Sequence, residues 1–424
     1  MHCRSFRCLS ICLSCFRDTL IETDSDILIA GGGLVGLSLA LLLSGAGRRI
    51  RIVDRAPVEE AAAAPDERHL ALSEVSCRTL EGLGVLQALG GDAETIRGIH
   101  VSSAGEFGAA RWLATEHGYA RFGAVAPARR LLAQLKKILL TRSDIELIAP
   151  AGVEDALADE RRVQALVTTA DVRTPAHAPL LVIADGAESS LRTAAGIDVE
   201  RHDYERSAVC CVVATERPHL GVAYERFTRS GPVAMLPQPR GQSGSILIVE
   251  ADAASALMQL SEHDYLDRLQ RAFGYRLGRL RSAGPRLSYP LRRVFAIALC
   301  APRQVLIGNA AQALHPVGAQ GFNLGLRDAA ALAQRVRAAW ATGADIGHPG
   351  LLADYAEARR SDRNATANLS HALAQATTLK SPAAGWLRSL AIVAADRFEP
   401  LAEHLMLGGM GFRGATPAAA RGIT

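Results

Sequence analysis

The strongest hydrophobic pattern in the chain comes early. Asp26 to Ala30 (DILIA) is a short buried-strand pattern, and after three glycines an apolar run to Leu43 has the length of a helix. Ser44-Gly45-Ala46-Gly47 stops that helix and Ile50 to Val53 supplies a second strand. The pattern predicts a βαβ unit, with parallel strands and a ligand at their carboxyl ends. From about Gly98 to Phe122, and from about Tyr204 to Tyr289, short alternating strands with Gly and Pro breaks predict a second, mostly antiparallel sheet. Between them Arg129 to Leu140 is helical, and Leu180 to Ala184 (LLVIA) is a buried strand that returns the chain to the first sheet. After Arg327 an Ala-rich pattern with regular charges predicts helices to about Leu407.

The expected architecture is therefore α/β and discontinuous. Residues 26–97, 123–203 and 290–345 form a Rossmann-type doubly wound domain, 98–122 and 204–289 an inserted β domain for substrate, and 346–424 a C-terminal helical region. Residues 1–25 read as a disordered leader, because the first strand begins only near Asp26.

Composition narrows the function. At 424 residues, with 49% apolar and 21% charged residues, the chain has ample material for a packed core. A net charge of +4, with Lys and Arg scattered along the chain, argues against nucleic acid as a partner. Apolar runs such as Leu37 to Leu43 are far shorter than the roughly 20 residues that cross a bilayer. Four of the eight cysteines crowd the first fifteen residues, which is no disulfide framework. Cys8, Cys12 and Cys15 have a C-x3-C-x2-C spacing used by some iron–sulfur enzymes, against which stands the simpler reading as part of a leader. No metal site is expected, and the expected location is the cytoplasm.

Gly31-Gly32-Gly33-Leu34-Val35-Gly36 fits G-x-G-x-x-G, with Gly31, Gly33 and Gly36 allowing a tight turn and close approach of a pyrophosphate. Asp54, 21 residues after Gly33, stands where an acid accepts hydrogen bonds from a ribose. A second match at Gly409, Gly411 and Gly414 lacks both the preceding strand and the following helix and is set aside.

Two further motifs follow strands. Asp185-Gly186-Ala187-Glu188-Ser189-Ser190-Leu191-Arg192 matches D-G-x-x-S-x-x-R, and Gly308 to Asn323 reads GNAAQALHPVGAQGFN. This order of motifs resembles the flavoprotein aromatic hydroxylases of the para-hydroxybenzoate hydroxylase type. Tyr224 to Pro237 (YERFTRSGPVAMLP), Ala272 to Gly278 (AFGYRLG) and GNAAQALHP resemble the ubiquinone-biosynthesis branch, in particular the 2-polyprenyl-6-methoxyphenol hydroxylases. The likeness runs from about residue 26 to about 370.

The resemblance implies FAD as cofactor and NAD(P)H as co-substrate, bound without a Rossmann domain of its own. It implies O2 and a prenylated phenol as reactants, with hydroxylation through a flavin C4a-hydroperoxide. Asp185, Asn309, Pro316, Gln320, Gly321, Phe322 and Asn323 fall in motifs that hold the flavin, and Arg68 and Arg129 align with family positions near it. Asn309 and Gln312 stand where the wider family has Asp and His, and the Asn309 amide can still bond a ribitol hydroxyl. A helix beginning near Gln320 would place half a positive charge beside the flavin and favour its anionic reduced form.

One position departs from the pattern. The branch reads P-x-x-G-Q-G, whereas Gly318-Ala319 here puts the glycine one place early. If that position needs φ above zero, the alanine costs something like 1 kcal/mol; the change is read as tolerated, against the sharper reading that it loosens or shifts the flavin and inactivates the protein. His315, beside Pro316, is either a proton relay or a structural histidine. Trp386, Leu390 and Val393, at helical spacing, are either a packing face or a peripheral contact with the inner membrane. Other ubiquinone-biosynthesis proteins are further expected partners. Three alternatives stay open: hydroxylation of another ring position or aromatic substrate, a flavin reductase or dehydrogenase, and a non-catalytic flavoprotein subunit of a biosynthetic complex.

Overall fold

A computed structural model describes residues 23–58, 68–376, 381–413 and 418–420. The cysteines of the first fifteen residues lie outside the described residues.

The βαβ opening forms the centre of a six-stranded sheet. In spatial order its strands are Cys300–Ala301, Gln304–Leu306, Leu181–Ile183, Ile27–Ala30, Ile50–Val53 and Ile145–Ile148. All neighbours pair in parallel except the edge hairpin Cys300–Leu306. Helices cover both faces of such a sheet, which is why its strands read as unbroken hydrophobic runs. Helix Leu34–Leu43 follows the glycine loop and packs beside helix Gln320–Thr342.

The second sheet is built around the long strand Val199–Thr215, which pairs antiparallel with Gln242–Glu250 on one side and Leu287–Ala296 on the other. Beyond Gln242–Glu250 come Val233–Pro237, Val222–Phe227, Gly98–Ser103 and Ala109–Leu113. Period-two alternation gives it two different faces. Val209, Val213, Met235 and Leu247 share a core with Leu257, Leu269 and Phe273 of helices Ala251–Gln259 and Glu262–Phe273. Ala208, Cys210, Leu236 and Ile246, of opposite parity, turn to the flavin-motif side.

Two small sheets were not foreseen. One joins Thr23–Asp24 to the strands Gly152–Ala158, Val163–Thr168 and Arg173–Ala178, and the other joins His69–Ser73, Glu94–Ile96 and Gly123–Pro127. Helices Pro349–Ala376, Pro382–Arg397 and Glu399–Met410 close the chain.

Candidate functional site

The glycine loop shows why side chains are barred from it. Gly31 has φ +112°, and a Cβ there would run into the Ala184 carbonyl oxygen; a Cβ on Gly36 would run into the Gly31 carbonyl oxygen. Gly33, by contrast, faces open space, so its bare backbone is available to a ligand. Asp54, one residue past its strand, accepts hydrogen bonds from the Gly32 N–H and, at 2.7 Å, from the Ala56 N–H. Its carboxylate therefore fastens the loop as well as facing the cavity.

A cavity of about 730 Å³ spans the space between the two large sheets. Gly31, Gly33, Asp54, Arg55 and Asp185 line its polar end. Arg68, Arg129, Asn309, Pro316, Gly321 and Phe322 line it further along. Ala208, Leu236, Ile246 and Leu291 give the part against the second sheet an apolar wall. Gly36, Gln320 and Asn323 are not among the lining residues: Gly36 packs behind the loop, Gln320 donates from Nε2 to the Gly318 carbonyl at 3.0 Å, and Asn323 is buried.

The amide of Asn323 is spent on backbone. Oδ1 accepts from the Ser73 N–H at 2.8 Å, while Nδ2 donates to the carbonyls of Ala71 at 2.8 Å and Ala319 at 2.6 Å. It clamps the His69–Ser73 strand to the first turn of helix Gln320–Thr342, which positions the cavity wall on both sides. Ala319, the N-cap of that helix, has φ 50° and ψ 38°, so the position does adopt the left-handed conformation that glycine favours.

The other motifs are tied to one another. Ser189 caps helix Ser190–Ala194 by accepting from the Arg192 N–H, and the buried Arg192 donates from Nη1 to the Ala310 carbonyl at 2.9 Å. Asp185 sits before this turn with Oδ1 buried and, among the described residues, without a hydrogen-bond partner. Burial pushes its carboxyl above the usual range, partly offset by a hydrogen bond from Ser189. An orphaned acceptor at a cavity wall calls for a donor from a ligand. Asp185, the open Gly33 and the glycine turn fit a dinucleotide with sugar hydroxyls and a pyrophosphate, of which FAD is one.

His315 is buried and accepts from the Val317 N–H at Nδ1, 3.2 Å away, which fixes the neutral tautomer with the proton on Nε2. Burial, then Arg206 and His371, lower it to about 4. The structural reading of this histidine is the one its surroundings support.

Several contributors lie outside the residues expected to hold the cofactor. Tyr289, Arg292 and Cys210 line the cavity, and the Arg68 guanidinium lies 5.4 Å over the Tyr289 ring. Gln312, fully buried, bonds Asp328 at 2.5 Å and accepts from Arg363 Nε at 2.8 Å. It joins the Gly308–Pro316 loop to a buried ion network in which Arg359 pairs with Asp328 and Asp362, and Asp362 with Arg327.

Residues 24–370 match the family described as FAD binding domain. The chain is 35% identical over 394 residues to the ubiquinone hydroxylase UbiL of Rhodospirillum rubrum, covering 91% of this chain and 90% of that protein. The chain belongs to the ubiquinone-biosynthesis flavin hydroxylases. It is an FAD-dependent aromatic hydroxylase, and its family uses NAD(P)H as co-substrate. The hydroxylase is also 27% identical to the ubiquinone hydroxylase UbiM of Neisseria meningitidis, across 90% of this chain and 83% of that one. Among solved structures, p-nitrophenol 4-monooxygenase of Pseudomonas putida shares the fold with a TM-score of 0.76 at 19% identity, over 93% of the hydroxylase and 99% of that chain.

Proposed function

We propose that the hydroxylase oxidises a polyprenylated methoxyphenol in ubiquinone biosynthesis, with NAD(P)H and O2 as co-substrates. The observation that carries the reading is a cavity that joins the dinucleotide-fitting loop to an apolar wall on the second sheet, in a chain whose relatives are ubiquinone hydroxylases. Bound FAD would supply the redox chemistry, passing electrons from NAD(P)H to O2 so that one oxygen atom reaches the ring.

The chain's own residues supply position and field. Gly31 and Gly33 admit the pyrophosphate to backbone N–H groups, Asp54 and Asp185 accept from sugar hydroxyls, and Asn309 reaches the ribitol. The N-terminal turn of helix Gln320–Thr342, with Gly321 and Phe322 on the cavity, stabilises negative charge beside the ring system. Ala208, Leu236, Ile246 and Leu291 exclude water and receive the apolar substrate. Among the described residues no helix is long and apolar enough to cross a membrane. Trp386, Leu387 and Leu390 are 64%, 67% and 54% exposed, and we assign them peripheral contact with the membrane that holds the prenylated substrate.

The test is the absorbance spectrum of the purified protein, followed by NAD(P)H oxidation with and without a short-chain 2-prenyl-6-methoxyphenol. A flavin spectrum with substrate-stimulated oxidation and a hydroxylated product supports the reading. Flavin without stimulation points to another ring. Because Escherichia coli 3-demethoxyubiquinol 3-hydroxylase is 28% identical over 74% of this chain, that ring position is the second one to assay.

A further inference from the structure

The face of the second sheet that turns away from the cavity carries a group of cations that, among the described residues, form no side-chain ion pair; the carboxylate of Asp396 accepts from the Arg111 backbone N–H at 3.1 Å. Tyr224 and Arg226 alternate with Glu225 along strand Val222–Phe227, and in register Tyr224 lies across from His100, Arg226 from Ser102, and His100 from Arg111. Tyr224 and Arg226 also pair with Met235 and Val233, two core residues of the helix-covered face, so this group is separated from the cavity by the sheet itself. Arg276, from the turn after helix Glu262–Phe273, joins them: a Cβ on Gly274 would lie within 4 Å of both the Arg226 and the Arg276 guanidinium.

Three polar atoms in this group are buried and have no hydrogen-bond partner among the described residues: Ser102 Oγ, His100 Nδ1 and Arg226 Nε. Ser102 is only 2% exposed. Burial and the neighbouring Arg276, Arg111 and Arg226 all depress His100, and burial and Arg276 depress Arg226; no carboxylate counters either. Like charges gathered around orphaned donors are costly unless an anion completes them. The C-terminal end of helix Glu262–Phe273, with its partial negative charge, offsets at most part of this and leaves the Ser102 and Arg226 donors unmade.

We propose that His100, Ser102, Arg111, Arg226 and Arg276 form a binding site for an oxyanion of the phosphate class, distinct from the flavin cavity. Planar guanidinium groups with a hydroxyl donor suit a tetrahedral anion bearing several acceptor oxygens. The same chemistry is offered by free phosphate and by a phospholipid headgroup.

The experiment uses the FAD-loaded enzyme in an amine buffer of constant ionic strength set with chloride. Thermal unfolding is followed while inorganic phosphate or pyrophosphate replaces chloride, and sedimentation is followed with phosphatidylcholine vesicles with and without phosphatidylglycerol. The comparison variants are Arg276→Gln and Arg111→Gln, whose side chains make no hydrogen bond among the described residues that removal would break. A saturable rise in Tm with phosphate, weakened about tenfold or more in each variant, supports a soluble ligand. Co-sedimentation that needs phosphatidylglycerol and falls in both variants, without a phosphate effect on Tm, supports a headgroup. In both cases flavin content and NAD(P)H oxidation stay at the parent level, and without anion each variant unfolds no lower than the parent. The proposal is overturned if neither phosphate nor vesicles distinguish the variants from the parent, or if the variants unfold earlier without anion, which would make the arginines partners of the helix terminus.

Discussion

Asn323 holds the carbonyl of Ala319 at 2.6 Å across the first turn of helix Gln320–Thr342, and the alanine it holds sits at φ 50°. A strained residue persists where its surroundings over-determine it, and the Asn323 clamp is what does so here. Replacing Ala319 with glycine removes the Cβ penalty without touching that bond. Ala319→Gly is expected to raise the stability of apoprotein and flavin-loaded enzyme alike by up to about 1 kcal/mol in denaturant unfolding, because the strain is already present without flavin. Unchanged unfolding stability would show that the alanine costs the hydroxylase nothing.

Asn323→Asp inverts the clamp. A carboxylate would face the Ala71 and Ala319 carbonyls with no proton to offer, so a loss of about 2–4 kcal/mol is expected in denaturant unfolding, together with weaker flavin retention. A variant as stable as the parent would contradict the accounting of three bonds.

Asp185→Ala removes the orphaned acceptor at the cavity wall. Its expected effect is mainly on cofactor: roughly tenfold or more in flavin dissociation constant, with a smaller change in apoprotein stability, because the loss of the Ser189 hydrogen bond is offset by removal of a buried, unpartnered Oδ1. A drop in apoprotein Tm with flavin affinity intact would reassign Asp185 to structure.

Glu225 provides a pH signature. It is half-buried, no hydrogen bond or charged neighbour is found for it among the described residues, and burial pushes its carboxyl up to about 7. A folded-state value above the unfolded one means that the native protein holds an extra proton between roughly pH 4.5 and 7. This contribution to stability is full below that window and is lost as pH rises through 7, by up to about 3 kcal/mol. Glu225→Gln should flatten this fall in chemical denaturation across pH 5 to 8 and leave the variant the more stable at pH 8.

The parts legible in the sequence were those whose meaning is local. Gly31, Gly33 and Gly36 encode a turn between a strand and a helix that both lie within a few residues, so spacing alone exposes them. Tyr289 and Gln312 work through Arg68, Asp328 and Arg363, which arrive from distant parts of the chain, and no spacing records such meetings. Asn323 shows an intermediate case: its motif placed it correctly at the helix start, but which groups its amide would bond depended on where the His69–Ser73 strand docks. The hairpins of residues 152–178 escaped because their alternation is interrupted by charges such as Glu154 and Asp155, at a register shift in the ladder.

The order of strands in the first sheet also sets a timetable for synthesis. Leu181–Ile183 lies between Ile27–Ala30 and Gln304–Leu306, so one hydrogen-bonding edge of a fully apolar strand has no partner until the ribosome has added roughly 120 more residues. At about 5–20 residues per second that interval is on the order of ten seconds, during which a nascent edge of this kind invites pairing with other chains. Production of this enzyme in a cell should therefore depend on chaperone capacity and on translation speed between residues 183 and 304 more than on the stability of the finished fold.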